Sequence, residues 1–369
     1  MCLEAYTFYV NQIQKTMTSD ETIQRYLSAA HIEEIPELLT IPRWPNIDDA
    51  GRRRQAKMID LATEIWCAAD DDTGRRKVLP ALLQTELERG VLQRIQSMLD
   101  RHHRYQPPEG RRQALKALGV GPHLLTEDER HSLDQDGYVI LGPLLDAVEL
   151  ASIRVAADAQ VELEGADSGR EVSQTRGVAR VSGTVLKPMN RDGLFDVLYL
   201  HPTLLAAVAH VLGDDFKVSS SNFHCPLPGY GHQMLHADWG WGVNHPEVVN
   251  VIWMLDEFTL DNGPTRVVPG SHTWGLHPAG SQENGELVDL NEGVPEQRYL
   301  TGLSGCCVIY NAHLWHSGTQ NESNSLRRAQ HLFYTRGDRP TQTDTVKVID
   351  EDVRAGLRQE QLALLDLPG

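Results

Sequence analysis

The sequence predicts a mainly β domain, a sandwich or barrel-like roll with flanking helices, preceded by an α-helical N-terminal extension. Three observations carry this expectation. Short apolar or alternating runs, Arg176–Val181, Phe216–Cys225, Val248–Leu255 and Cys306–Tyr310, are separated by glycine, proline, aspartate or asparagine, the pattern of strands joined by turns. Regular alternation of strands with crossover helices is missing, which disfavours a doubly wound parallel sheet. From about residue 19 to residue 118, in contrast, apolar side chains recur at helical spacing.

Taken in order, the first candidate helices lie in SDETIQRYLSAAHIEEIPELL, RRRQAKMIDLATEIWCAADD and KVLPALLQTELERGVLQRIQSMLDRHH. Met58, Leu61, Ile65 and Trp66 mark one amphipathic face and Leu83, Leu87, Val91, Ile95 and Leu99 another, stripes that packing explains without a ligand. QPPEG then breaks the pattern. Thr126 with Glu129 predicts a capping box at the head of a short helix. Tyr138–Leu141 reads as a strand, and a helix is expected from about Asp146 to Glu162. After the strand-rich part, Val346–Leu367 reads as a short helical tail. The division expected is an extension over 1–125, a β domain over 126–338 and a tail over 339–369.

The 369 residues suffice to bury roughly 75% of the surface an unfolded chain exposes. With 51 acidic residues against 34 lysines and arginines, the net charge is −17, which opposes attraction to nucleic acid or anionic lipid and by itself identifies no substrate. Neither a basic, apolar leader nor a run of membrane length is found near the start, so a cytoplasmic protein is expected. The five cysteines, Cys2, Cys67, Cys225, Cys306 and Cys307, lack framework or zinc-site spacing and read as reduced thiols. The adjacent Cys306 and Cys307 read as buried small side chains.

HADWGW, residues 236–241, raises the question of chemistry. On a strand, His236 and Asp238 point to one face and can share a divalent first-row metal. That tripeptide is common, so a third ligand is needed. His316 in HLWHSGTQNESNSLRR follows the apolar CCVIY run, and His313 stands three residues earlier. Either would complete two histidines and one carboxylate, the facial set of non-haem iron enzymes. A closed structural zinc site would call for four cysteine or histidine ligands instead. Trp239 and Trp241 offer rigid walls for a substrate mouth. His224, His232, His245, His272 and His277 read as loop or pocket histidines, and Arg180 and Lys187 as residues that could face a cavity.

Four segments in this order, DQDGYVIL, QMLHADWGW, DNGPTRVVPGSH and WHSGTQNESNSLRR, over about residues 126–336, resemble the phytanoyl-CoA dioxygenase family of Fe(II)- and 2-oxoglutarate-dependent oxygenases. The resemblance implies a double-stranded β-helix, the cupin-like jelly roll. It implies that His236, Asp238 and His316 hold Fe(II) and that Arg327 takes the distal carboxylate of 2-oxoglutarate, with Gln233, Thr265 and Asn222 near the co-substrate. A rigid guanidinium suits a carboxylate, and Arg328 should face the other way if the segment is a strand. O2 is the second co-substrate implied. The reaction implied is hydroxylation of an unactivated C–H bond in a small, specialised-metabolite substrate, with succinate and CO2 as co-products. Desaturation, ring formation and epimerisation diverge late in such chemistry and stay open, whereas the carboxylate of Asp238 argues against a halogenase. The extension has no counterpart in the compact catalytic pattern and no CoA-phosphate cradle is visible; covering the mouth, forming a homodimer and stabilising the fold are the roles open to it.

Overall fold

The computed structural model describes residues 108–168, 177–238 and 246–368 apart from 276, 280, 284 and 285. The candidate N-terminal helices, Trp239, Trp241, His245, Cys2 and Cys67 lie outside the described residues.

Helix α1 (Glu109–Ala117) comes first, and Leu118 to Leu125 lead into α2 (Glu127–Gln135). There Thr126 and Glu129 make the capping box read from sequence, the Thr126 hydroxyl accepting from Glu129 N and the Glu129 carboxylate from Thr126 N. Strand β1 is Tyr138–Leu141. Helix α3 (Ala147–Glu164) has its own box at Asp146 and Glu149, and buries Leu150, Ile153 and Ala157, one face at helical spacing. Strand β2 (Val178–Ser182) and helices α4 (Asp196–Leu200) and α5 (Pro202–Leu212) lead into β3 (Phe216–Pro226). Then come β4 (Val248–Met254), β5 (Thr265–Val267), a ribbon of β6 (Gln282–Glu283) and β7 (Glu286–Leu287), β8 (Arg298–Tyr299), β9 (Cys307–Asn311), β10 (His316–Gly318) and β11 (Ala329–Arg336).

Two antiparallel sheets form the double-stranded β-helix. The larger runs in the order β1-β9-β4-β11-β3-β2 and the smaller β10-β5-β8. Alternation along β4 divides the core. Val249, Val251 and Trp253 pack with the helices on the outer face, alongside Leu204, Leu205 and Val208 of α5. Ile252 and Met254 turn inward to meet Val267, Val308, Leu314 and Phe258 between the sheets. Covered on both faces, β4 is apolar at every position but one, Asn250. Trp253 keeps its indole N–H paired with Leu198 O at 2.8 Å.

The tail departs from the single helix expected. It forms α6 (Thr345–Val348), α7 (Glu351–Ala355) and α8 (Gln359–Leu364). Asp350 opens a new N-terminus by accepting from Asp352 N and Val353 N, and Gly356 ends α7. Asp366 then binds Lys217 at 2.6 Å and also Arg111 of α1, which reaches Asp215 at 2.9 Å. These ion pairs tie the first and last described helices to β3. Cys225, Cys306 and Cys307 are buried free thiols, as their apolar setting suggests. Among the described residues no helix is long and apolar enough to cross a membrane.

Candidate metal centre

His236 and His316 meet through a reciprocal backbone bridge, His236 N donating to His316 O at 2.9 Å and His316 N to His236 O at 2.7 Å. The bridge extends the smaller sheet by one strand-like segment and stacks the two imidazoles with centroids 4.4 Å apart. Each ring turns Nδ1 to a carbonyl two residues earlier, His236 to Met234 O at 2.7 Å and His316 to Leu314 O at 2.8 Å. A carbonyl only accepts, so Nδ1 carries the proton and Nε2 keeps its lone pair.

Asp238 completes the group. Its Oδ1 lies 3.6 Å from His236 Nε2 and its Oδ2 3.5 Å from His316 Nε2. One donor atom from each of the three residues falls within 4.8 Å of the others. Two ligands about 2.1 Å from a common ion stand at most roughly 4.2 Å apart, so the imidazole–carboxylate spacings suit a metal. His316 is buried, while the His236 and Asp238 side chains keep 26% and 33% of their surface exposed, which leaves one side of the group approachable. Burial pushes the His316 imidazole down to about 4, so it is neutral at physiological pH. Burial alone would raise the Asp238 carboxyl, but His316, His236 and the Asn250 amide outweigh it and hold it below the usual range. A neutral His316 imidazole beside an ionised Asp238 carboxylate is the pairing of protonation states a divalent ion requires.

Sequence reading missed two residues of this centre. Asn250 Nδ2 donates to Asp238 Oδ2 at 2.6 Å, and the Tyr310 ring lies edge-on to His316 with centroids 4.9 Å apart. A lone amide in the apolar run VVNVIWM was the available signal. By occupying Oδ2, Asn250 orients the carboxylate. Outer partners of this kind contribute about 10- to 100-fold to metal affinity. Asn250→Ala is therefore expected to weaken Fe(II) binding by that factor in an anaerobic chelator competition; an unchanged dissociation constant would remove Asn250 from the centre.

The structure separates the two candidate third ligands, because His313 lies buried outside the group that His316 joins. Arg327, two residues before β11, is buried under Phe258, with its guanidinium carbon 4.5 Å from the ring centroid. Its Nε and Nη1 have no hydrogen-bond partner in the ligand-free fold. Burial pushes it down to about 10, still a cation at neutral pH. Unpaired donors on a buried cation suit a carboxylate such as the distal end of 2-oxoglutarate. Arg328 pairs instead with Asp158 at 2.8 Å and Asp256 at 3.1 Å, although the two arginines precede β11 and are not part of a strand.

The Gln233 side-chain oxygen accepts from Gly318 N at 3.0 Å, so that half of the amide braces β10 and the Nε2 half is left to donate. Thr265 is buried and pairs with Gly318 while Val267 pairs with His316, which puts Thr265 on the His316 face of the smaller sheet. Asn222 pairs with His331 across β3 and β11, and its Oδ1 is buried without a partner. Lys187 is engaged by Glu164. His272 faces Asp134 O at 3.2 Å, His232 faces Asn291 at 3.4 Å, and His277 accepts from Ala279 N at 3.2 Å; none of them joins the metal group.

Comparison with known proteins agrees with this geometry. The chain is 27% identical over 213 residues to dioxygenase cdmA of Talaromyces verruculosus, a match covering 53% of this chain and 68% of that protein. It is 27% identical over 143 residues to dioxygenase af480 of Aspergillus fumigatus, covering 37% of this chain and 43% of that protein, less than half its length. Among solved structures, EctD from S. alaskensis with 2-oxoglutarate and 5-hydroxyectoine is similar over 58% of this chain and 77% of its own, with 21% identity and a TM-score of 0.47. The family model for phytanoyl-CoA dioxygenase matches residues 133–329, a span that holds every ligand and co-substrate candidate named above. With more than half its length so matched, the chain belongs to the phytanoyl-CoA dioxygenase (PhyH) family of Fe(II)- and 2-oxoglutarate-dependent oxygenases.

Proposed function

We propose that this chain hydroxylates an unactivated C–H bond of a small, specialised-metabolite substrate, converting 2-oxoglutarate and O2 to succinate and CO2. The observation that carries the reading is the juxtaposition of an open His236–Asp238–His316 group with a buried arginine whose Nε and Nη1 lack partners. Bound Fe(II) supplies the O2 activation, one oxygen atom going into succinate and the other into the product. The protein's share is binding and orientation. His236, Asp238 and His316 hold the ion through Nε2, a carboxylate oxygen and Nε2, and Asn250 keeps that carboxylate turned. Arg327 pairs with the distal carboxylate, and Phe258 over its face keeps water from the pair. Gln233 Nε2, the Thr265 hydroxyl and Asn222 are the further polar contacts assigned to 2-oxoglutarate. Trp239 and Trp241 are assigned to the substrate mouth. The carboxylate of Asp238 occupies the position a halide would need, which supports hydroxylation over halogenation.

The test is anaerobic reconstitution with Fe(II) and 2-oxoglutarate followed by a pulse of 18O2. Succinate carrying one heavy oxygen is the expected result, and a product heavier than its substrate by one oxygen atom identifies hydroxylation. Loss of two hydrogens would replace that reading with desaturation or ring closure. No 2-oxoglutarate consumption would reject the oxygenase reading itself.

A further inference from the structure

The inner face of the larger sheet carries a polar patch beyond the residues assigned above. Arg180 of β2 pairs with His224 of β3, and Asn222, two residues along β3, pairs with His331 of β11. A strand period of two places His224 and Asn222 on one face, which His331 shares through its pairing. Arg180 Nη2 lies 3.2 Å from His224 Nε2, and the His224 and His331 rings meet edge to face at 5.0 Å. His331 lies within electrostatic reach of Asp238 and His316, so the patch borders the metal centre.

The arginine contact settles the chemistry of His224. A guanidinium donates and does not accept, so Nε2 is the acceptor and the ring proton sits on Nδ1. Nδ1 is buried and has no partner, and the same holds for His331 Nε2. Burying a donor without an acceptor is unfavourable, and such groups in native folds point to a missing partner. That partner is an oxygen acceptor. Arg327 already presents unpaired donors for the carboxylate of the co-substrate. His224 stands on the neighbouring strand and is backed by Arg180 from the edge strand β2, so it serves a second acceptor.

We propose that His224, polarised from behind by Arg180, is the anchor for a carboxylate on the molecule being oxidised, Nδ1–H donating to one of its oxygens. His331 flanks that oxygen. The substrate class is then an organic acid small enough for the roll. This rests on the reading that the roll holds Fe(II), 2-oxoglutarate and a small substrate; the distal carboxylate of 2-oxoglutarate has the same chemistry, and the experiment separates the two.

Full-length protein is loaded anaerobically with Fe(II) and 2-oxoglutarate, and 2-oxoglutarate binding is followed by absorbance. Aliphatic and aromatic monocarboxylates and their matched primary amides are then titrated by calorimetry. Wild type is expected to bind at least one acid about 10- to 100-fold more tightly than its amide. His224→Phe is expected to erase that preference while leaving 2-oxoglutarate affinity within about twofold. His224→Asn, whose side chain still donates, restores part of it, and Arg180→Met weakens it. Thermal melts check folding; if His224→Phe unfolds, the Asn and Arg180→Met variants decide. Three results overturn the anchor: no acid preference in wild type, a preference that survives His224→Phe and Arg180→Met, or a fall in 2-oxoglutarate affinity with the acid preference intact. The last assigns the donor to the co-substrate. Wild type that binds no 2-oxoglutarate overturns the functional reading and the anchor with it.

Discussion

His316→Ala is expected to abolish coupled turnover and to weaken Fe(II) binding by at least about 100-fold, beyond the loss typical of a residue that only orients a ligand. The remaining pair, His236 and Asp238, leaves two protein donors where three stood. Because the backbone bridge between residues 236 and 316 involves no side-chain atom, the strand pairing survives the change. The metal-free variant should therefore melt close to wild type, less the cost of a small cavity beside Tyr310, about 1–3 kcal/mol. His313→Ala is the matched control, as His313 is buried near His316 in sequence yet stands apart from the metal group. Calorimetric Fe(II) titration should show the loss in the first variant only. Equal affinities in the two would return the third-ligand question to where the sequence left it.

Arg327→Met is expected to raise the dissociation constant for 2-oxoglutarate by about 10- to 100-fold, the scale of a charge-assisted hydrogen bond from a buried cation to a carboxylate. A second consequence runs the other way. Arg327 is a nearly fully buried cation with two unpaired nitrogens in the ligand-free fold, and methionine fills similar volume without a charge to desolvate. The ligand-free variant should thus be as stable as wild type or more so. Thermal melts with and without 2-oxoglutarate and Fe(II) test both halves: wild type gains stability on loading, since a ligand bound only to the folded state shifts unfolding, and the variant does not. A variant that gains as much as wild type would remove Arg327 as the anchor.

What the sequence revealed was governed by distance along the chain. The capping box at Thr126, the strand at Tyr138–Leu141 and the helix beginning after Asp146 each depend on residues within one or two turns of one another, and they stand as expected. His236 and Asp238 converge, and Arg327 and Arg328 find different partners, without either pair lying in a strand, so the alternation assumed from sequence reached the right pairing for a different local reason. Choosing between His313 and His316 was different in kind, because it depends on which residue of the β10 region bridges a segment some eighty positions upstream. Asn250 and Tyr310 reach the centre only through the order of β4 and β9 within the sheet, which local patterning does not encode. The partner of the Gln233 oxygen, Gly318 N, is likewise set by the pairing of distant segments. The tail was misjudged for a local reason, the aspartate at 350 competing for backbone N–H groups within a helical pattern.

The reciprocal clasp between residues 236 and 316 bears on which ion the protein carries. It fixes the spacing of both imidazoles through backbone hydrogen bonds that involve no ligand atom. A rigid cage of this kind favours ions in their ordinary order of affinity, and ferrous iron ranks below cobalt, nickel and copper for nitrogen and oxygen donors. Fidelity to iron is thereby handed to the supply of ions around the protein, and trace copper or nickel becomes its natural poison.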